Sequence, residues 1–372
     1  MNGHTKKETG IMGKYNTGLF VGMDVSDKNI KVYTLTGREE VGAKADVANT
    51  RESLNAFAAS FPEPSKVRIA METGGHSNWL ADFLRSKKLD VTVADARKLR
   101  AIWGSEQKCD DRDAEMLARL LRADPKLLNS VKVKDREARD ALTMVKARDC
   151  LAGLRTKLIN TIRGLLKSEG VSSSEIDAGS FGVKVRQIVP KTLLGALKPL
   201  IDEIVRLDSS LKDFDKKILR LRKEFEGCEA VSQIKGVGPV TSLTFTLTVG
   251  DPERFKSGGR LASYIGLVPR RNQSGETDRQ CHITKAGSLL LRKYLVQAAH
   301  YVMGPFGDRD CDLRRFGERI AARGGKNAKR RAIVAVARKL AVLMLKLWKT
   351  GGEYDPQFSI NKGKPATVKA PA

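Results

Sequence analysis

The sequence predicts an α/β domain followed by a mostly helical remainder. Two observations carry this prediction. Short apolar runs at residues 18–25, 30–36, 67–71 and 91–93 are typical of strands, and polar or helical segments separate them. From residue 135 onward, apolar residues instead recur every three or four positions over long stretches, which is typical of long helices.

These changes in the apolar pattern divide the chain into five segments. Residues 1–17 are polar and are expected to be a disordered leader, and residues 18–130 form the α/β domain. Residues 131–227 form a spacer of long helices, and residues 228–350 form a mostly helical domain. Residues 351–372 contain Gly, Pro and Lys but little to bury, so we expect a disordered tail.

The spacer carries a regular apolar repeat. Gaps of four and three residues alternate through its second helix, and three heptads of this kind predict a coiled-coil seam. At this point the seam can join two helices of one chain or helices of two chains. Its members are Leu200, Ile204, Leu207, Leu211, Phe214, Ile218 and Leu221.

The charge balance indicates an acidic partner. The 372 residues include 68 Lys and Arg against 43 Asp and Glu, a formal net charge of +25. Nucleic acid is the commonest partner for such an excess, and a small neutral metabolite would not require it.

Cysteine spacing and hydropathy indicate the cellular compartment in which the protein is expected. The five cysteines lie far apart without a Cys-x-x-Cys pair, and the chain has four histidines, so a zinc site is not expected. Free thiols fit a reducing cytoplasm. We expect no signal peptide at residues 1–17 and no membrane association, because no run reaches the roughly 18 uninterrupted apolar residues of a membrane span.

Four carboxylates stand where an α/β sheet presents catalytic groups. Asp24 ends the first predicted strand, Glu72 ends another, and Asp110 and Asp113 share one face of a predicted helix at its first turn. Asp111 points about 100° away on that helix and is the weaker candidate. Any one of these residues alone is more often a turn former or a helix cap. The ordered strand–strand–helix set is the pattern of a ribonuclease H-like fold.

Carboxylates that converge repel each other unless a cation lies between them. Mg²⁺ prefers such hard oxygen ligands, and two ions about 4 Å apart can clamp both oxygens of a phosphoryl transfer. In a basic protein, this pattern indicates phosphodiester chemistry on nucleic acid with one or two Mg²⁺ ions.

Two short motifs of the C-terminal part are suited to DNA phosphates. The glycines of Gly236-Val237-Gly238 resemble the turn of a helix-hairpin-helix, whose backbone N–H groups approach a phosphate. The pair Arg270 and Arg271 can bind a phosphate in a bidentate manner. Both motifs predict contacts with the nucleic-acid backbone.

Ser274 lies three residues after this arginine pair, in a stretch rich in Gly, Arg and Ser that predicts a loop, and it is a candidate nucleophile. The alternative is a simple turn, because Ser-Gly pairs such as Ser274-Gly275 are more often turns than catalytic groups. Further candidate phosphate contacts are Lys285 and the basic helix residues Lys329, Arg330 and Arg331.

The motifs together resemble one family, the DEDD-type transposases of the insertion sequence 110 family, which are bridge-RNA-guided DNA recombinases. Residues 22–24 look like the first acidic motif of the family and residues 71–74 like the second. Residues 108–114 are similar to the third, with Cys109 where Thr is usual. The resemblance covers about residues 18–349.

The resemblance implies an N-terminal RuvC-like domain, a helical coiled-coil spacer and a C-terminal transposase domain with a catalytic serine. That serine maps to Ser274. The sequence departs from the usual family pattern at Gly75 and His76, directly after the second motif. The metal-binding acidic tetrad maps to Asp24, Glu72, Asp110 and Asp113.

The function implied is that of a Mg²⁺-dependent recombinase that excises and inserts its own element. A structured noncoding guide RNA would pair with both target and donor DNA, so that base pairing reads the sequence while the protein holds the backbone. Family members assemble as homodimers and homotetramers. The expected location is the bacterial cytoplasm, in association with the nucleoid.

Two alternatives stay open at this stage. A RuvC-like Mg²⁺-dependent endonuclease or junction resolvase would use the tetrad with water and would not need Ser274. A basic RNA- or DNA-binding protein with a degenerate metal site would be unaffected by Asp24→Ala. A covalent protein–DNA adduct distinguishes the recombinase from both.

Overall fold

The computed structural model divides the chain into two compact units, with the boundary between Asp135 and Arg136. The expected leader at residues 1–17 and residues 362–372 of the expected tail lie outside the described residues. The predicted domain limits near 130 and 227 stay predictions. The structure describes residues 18–37, 41–102, 110–274 and 277–361.

The N-terminal unit is built on a five-stranded mixed sheet, with the strand order β3-β2-β1-β4-β5. The first three strands are antiparallel neighbours, whereas β1, β4 and β5 run parallel. The predicted mixed sheet is therefore confirmed. The strands are β1 (Leu19–Val25), β2 (Asn29–Thr36), β3 (Ala43–Ala48), β4 (Val67–Glu72) and β5 (Asp90–Ala94).

Helices cover both faces of this sheet. On one face, Leu54 and Leu80 pack against the apolar side chains of the central strands. On the other face, Leu117 and Leu121 pack with Phe20 of β1. The helices of this unit are α1 (Arg51–Ala59), α2 (Ser77–Ser86), α3 (Ala96–Ile102) and α4 (Asp110–Ala123).

Two long helices open the C-terminal unit, α5 (Arg136–Ser168) and α7 (Lys191–Leu221), and the short α6 (Phe181–Lys184) lies between them. The two long helices pack on each other within one chain, with Ile162 and Ile204 in their common core. Four of the seven residues of the predicted coiled-coil seam are only partly buried, and a regular coiled-coil spacer is not confirmed.

The remaining helices of the C-terminal unit pack around α13. Its buried side chains share one core with α9, α10 and α11, and a β-hairpin projects between α10 and α11 in the chain. In the described part of the chain, no helix is both long enough and apolar enough to cross a membrane. The elements are α8 (Cys228–Ser232), α9 (Pro239–Val249), α10 (Gly258–Tyr264), β6 (Pro269–Ser274), β7 (Thr277–Ile283), α11 (Leu289–Met303), α12 (Asp312–Ala321), α13 (Ala328–Thr350) and α14 (Phe358–Asn361).

The first part of the expected disordered tail, residues 351–361, is instead folded against this unit. The backbone N–H of Tyr354 donates to Gln233 Oε1 at 2.8 Å. The backbone N–H of Ser359 donates to Asp312 Oδ2, also at 2.8 Å. Side chains 121 and 47 positions earlier in the chain therefore hold this stretch, which composition alone did not indicate.

Candidate acidic site and nucleic-acid interface

Asp24 and Glu72 lie at the carboxyl ends of two neighbouring parallel strands. Met23 pairs with Met71, so each acidic residue stands one position beyond a paired methionine. Side chains alternate along a strand, and adjacent strands are about 4.8 Å apart, so both carboxylates point to the same face of the sheet. Both are half-buried.

Helix α4 covers this face at very short range because β1 has a glycine at the contact. A Cβ added to Gly22 would lie 1.9 Å from the carbonyl oxygen of Ala114 and 2.7 Å from the nitrogen of Ala118. Ala114 and Ala118 are themselves buried and small. The helix backbone therefore rests directly on the strand, and its first turn reaches the strand end beside Asp24.

This packing brings three of the four predicted carboxylates together. Oxygen atoms of Asp24, Asp110 and Asp113 all lie within 4.8 Å of one another. Asp24 and Asp113 are half-buried, and Asp110 is exposed. Glu72 lies outside this group of three, on the neighbouring strand. We call Asp24, Asp110 and Asp113 the acidic triad.

Asp111 faces away from the triad, as the helical spacing predicted. Its carboxylate lies 3.5 Å from Lys44 Nζ and 3.7 Å from Lys31 Nζ. Lys31 is directly opposite Asp24 in the β1–β2 ladder and donates to Asp46 at 2.8 Å. The hydrogen bond with Asp46 raises the Lys31 pKa above its usual value, so a permanent positive charge flanks the triad.

The donor set of the triad suits a hard divalent cation. Three carboxylates at this separation repel each other, and a cation between them offsets that repulsion. Mg²⁺ takes oxygen ligands of this kind and keeps part of its water shell. Two of the three carboxylates also lie in the first turn of α4, where the helix dipole favours negative charge.

A histidine contact that the sequence did not predict joins the loops after β1 and β4. His76 Nε2 lies 3.0 Å from Asp27 Oδ1, and the indole N–H of Trp79 donates to His76 Nδ1 at 3.1 Å. Because Nδ1 accepts the hydrogen bond from Trp79, it carries no proton. The proton of the neutral imidazole is therefore on Nε2, which faces Asp27. His76 is one of the two residues at which the sequence departs from the family pattern, and Asp27 gave no signal in the sequence.

Ser274 is placed in the C-terminal unit, as the last residue of β6, and its backbone pairs with Thr277 of β7. The sequence predicted a loop here, whereas the structure has a two-stranded hairpin with Ser274 at its tip. Residues 275–276 lie outside the described residues, as do residues 108–109 of the third motif. Arg270 and Arg271 are exposed on the same strand.

The Gly236–Gly238 turn joins α8 to α9, which is the position of the turn in a helix-hairpin-helix. Gly236 has φ +100°, and its Cβ would lie 2.9 Å from the ring of Tyr301, so glycine is required there. A Cβ on Gly238 would meet nothing within 4 Å. The backbone at the start of α9 is therefore open to a ligand such as a phosphate.

A basic surface covers the start of α13. Ten Lys and Arg residues and no Asp or Glu lie between Glu318 and Glu353. Lys329, Arg330 and Arg331 are exposed, and Arg331 also donates to the carbonyl oxygen of Gly324 at 2.5 Å. This surface and Lys285, which is exposed after β7, are the predicted contacts with phosphates.

Replacing Lys329 and Arg330 by Ala should flatten the salt dependence of duplex DNA binding. Each phosphate contact contributes a slope of about −0.9 in log affinity against log salt, so two lost contacts change the slope by about 1.8. Fluorescence anisotropy at several salt concentrations measures it. Lys216 and Lys217, exposed on α7, provide the control pair, and equal slopes for both double variants would place the DNA contact elsewhere.

Gly22→Ala should destabilise the N-terminal unit and weaken metal binding. The new methyl group would collide with the backbone of α4, which costs about 1–3 kcal/mol in a packed core and displaces the first turn that carries Asp113. Thermal unfolding and Mn²⁺ titration measure the two effects. Gly75→Ala, where a Cβ has free space, is the control, and a Gly22→Ala protein equal to wild type in both assays would refute this packing role.

Comparison with protein families gives two matches along the chain. Residues 21–170 match the DEDD transposase model of the IS110 type, described as a transposase. Residues 228–309 match the model of the transposase IS116/IS110/IS902 family. The first match contains the acidic triad, and the second contains the Gly236–Gly238 turn and the hairpin with Ser274.

Individual relatives agree with these models over most of the chain. The transposase for insertion sequence element IS1111A of Coxiella burnetii is 28% identical over 356 residues, covering 91% of this chain and 95% of that protein. A putative transposase of Sinorhizobium fredii, y4pF/y4sB, is 27% identical and covers 90% of this chain and 85% of its own length. The chain therefore belongs to the IS110 family of DEDD transposases, enzymes that recombine DNA.

Proposed function

We propose that this protein is a Mg²⁺-dependent recombinase that excises and inserts its insertion sequence through a phosphoserine intermediate. The single observation that carries the proposal is the acidic triad of Asp24, Asp110 and Asp113, with oxygens within 4.8 Å of one another. Target and donor DNA are the substrates. The net charge of +25 supports binding to a polyanion of this kind.

In this proposal the triad and Glu72 hold Mg²⁺ at the strand ends. The bound cation would offset negative charge that develops on the scissile phosphate. The protein contributes the fixed positions of the carboxylates, through the contact of α4 with Gly22, and the dipole of α4 at its first turn. Lys31 limits the net negative charge around the triad.

Ser274 would supply the nucleophile. Its Oγ forms a bond to the phosphorus of a phosphodiester, the bond from that phosphorus to one deoxyribose oxygen breaks, and the proton lost by serine balances the one gained by the leaving oxygen. A deoxyribose hydroxyl of the other DNA then attacks the same phosphorus and releases serine with its proton restored. No water or nucleotide is consumed, so the energy of the phosphodiester bond is conserved.

The triad and Ser274 lie in different compact units of the chain. In the proposed homodimers and homotetramers, the serine of one protomer acts beside the triad of another. This arrangement would couple strand cleavage to assembly, because an isolated protomer would not complete its site. Association with DNA places the protein on the bacterial nucleoid in the cytoplasm.

A structured noncoding RNA would guide the reaction by pairing with target and donor DNA. The basic surface at α13 and the arginines of β6 provide backbone contacts that do not depend on sequence. We expect RNA that co-purifies with the protein to map to DNA flanking its own gene. Sequencing of that RNA tests this, with the Lys329→Ala/Arg330→Ala protein for comparison, and RNA drawn evenly from all transcripts would refute guidance.

The hydrolytic nuclease is the second candidate function, because it would use the acidic tetrad with water and would not need Ser274. It would cleave with water and would leave no protein bound to DNA. The state of the cut ends therefore separates the two functions.

A further inference from the structure

The hairpin that carries Ser274 forms a sheet of its own. β6 and β7 pair only with each other among the described strands, and a β-bulge interrupts the pairing between Pro269 and Arg271. Isolated two-stranded hairpins are marginally stable in water. The direction in which this hairpin projects therefore depends on how its base is held.

At the base, the two chain segments cross with their backbones in contact. Gly266 has φ +72°, and its Cβ would lie 2.3 Å from the nitrogen of Ala286. Gly287 has φ +68°, and its Cβ would lie 2.1 Å from the carbonyl oxygen of Tyr264. Side chains are thus excluded from the crossing, where the backbone N–H of Lys285 donates to the carbonyl oxygen of Gly266 at 3.2 Å. This backbone bond joins the two segments to each other, and a further group is needed to join them to the helical core.

Arg292 of α11 is the side chain beneath this crossing. It is only 8% exposed, and its Nη1 donates to the carbonyl oxygens of Ile265 at 3.1 Å, of Gly287 at 3.3 Å and of Ala286. Ile265 belongs to the segment that enters the hairpin, and the other two belong to the segment that leaves it. One guanidinium therefore joins both ends of the hairpin to the helical core.

We infer that Arg292 is a positioning residue that sets the orientation of the Ser274 hairpin for strand transfer. The guanidinium is rigid and always charged, so its hydrogen bonds to carbonyl oxygens are stronger than those of a neutral donor. The hairpin ladder starts directly above, where Thr284 N–H donates to the Val268 carbonyl at 2.9 Å. The inference rests on the proposed role of Ser274 only for its consequence in catalysis.

Hydrogen exchange tests whether the Arg292 guanidinium holds the base of the hairpin. In Arg292→Met, which keeps the length and apolar stem of the side chain but no donor, the backbone amides of Thr284 and Lys285 should exchange at least tenfold faster than in the wild type. In the wild type these amides donate across the base of the hairpin to the carbonyl oxygens of Val268 and Gly266. Arg260→Met removes an exposed arginine from the neighbouring helix and should leave these rates unchanged. Equal hairpin exchange in Arg292→Met and wild type would overturn the inference.

The rate of covalent adduct formation tests the expected effect of Arg292 on catalysis. Arg292→Met should slow formation of the covalent DNA adduct at least tenfold, while DNA affinity in the same buffer changes less than twofold. Arg292→Lys retains one charged donor and should give intermediate exchange and adduct rates, and it replaces the Met variant if that protein does not fold. Faster exchange with an unchanged adduct rate would overturn the positioning role. If the wild-type protein forms no adduct, the serine mechanism is refuted. The hydrogen-exchange result then still shows whether Arg292 holds the base of the hairpin.

Discussion

Asp24→Asn should abolish strand cleavage while leaving DNA binding nearly intact. The substitution keeps the shape of the side chain and removes one of three charges that lie within 4.8 Å of one another. Loss of several kcal/mol of charge stabilisation at the phosphate corresponds to a decrease in cleavage rate of about three orders of magnitude. Gel-based cleavage assays with Mg²⁺ measure the rate, and anisotropy measures DNA binding.

Asp111→Asn is the matched control for this experiment. Asp111 lies in the same helical turn as Asp110 but faces Lys31 and Lys44, so its removal takes away a charge close to the triad without removing a ligand. We expect near wild-type cleavage from it. An equal loss in both variants would mean that net charge near the strand ends, and not ligation of a cation, controls the rate. Mn²⁺ titration should show weaker metal binding for Asp24→Asn than for the wild type, and unchanged binding for Asp111→Asn.

Ser274→Ala should eliminate strand exchange as completely as the loss of the triad does. The variant lacks the one oxygen that forms the phosphoserine bond, and nothing in the proposed site substitutes for it. Folding and metal binding should survive, because the hairpin and the triad lie in different compact units. Plasmid excision measures exchange. Thr277→Val, which changes the pairing partner of Ser274 and keeps a β-branched side chain, should remain active.

Mixing the two inactive variants tests whether protomers share a site. If the serine of one protomer acts beside the triad of another, some mixed assemblies of Asp24→Asn and Ser274→Ala combine an intact serine with an intact triad. Partial activity should then return. If both groups act within one chain, every mixture stays inactive, which would exclude the proposed action in trans.

The strands that the sequence predicted are those with a buried apolar pattern. β1, β2, β4 and β5 carry such runs, and each was predicted within a few residues. β3 was missed because it is an edge strand whose side chains are nearly all exposed, so it has no apolar pattern. α1 was missed for a related reason, since only Leu54 and Ala58 of it are buried. A strand or helix is therefore predictable from the apolar pattern of its sequence only where one of its faces is buried.

The candidate site was predictable where local spacing determines it. The helical period brings Asp110 and Asp113 to one face and turns Asp111 away from it. The contact of Gly22 with α4, which brings this face to Asp24, links residues about 90 positions apart and depends on backbone packing. The bond between His76 and Asp27 spans 49 positions. The hairpin of Ser274 lacks an apolar alternation, so its polar sequence indicated a loop.

The most direct test of the central claim is mass-spectrometric mapping of any covalent adduct between the wild-type protein and a nicked suicide DNA substrate with Mg²⁺. The serine mechanism predicts an adduct that withstands boiling in detergent, with the nucleotide phosphate on the peptide that contains Ser274, and no adduct with Asp24→Asn or Ser274→Ala. Cut ends free of protein, with ¹⁸O from labelled water in their phosphates, would contradict it and would identify a hydrolytic nuclease.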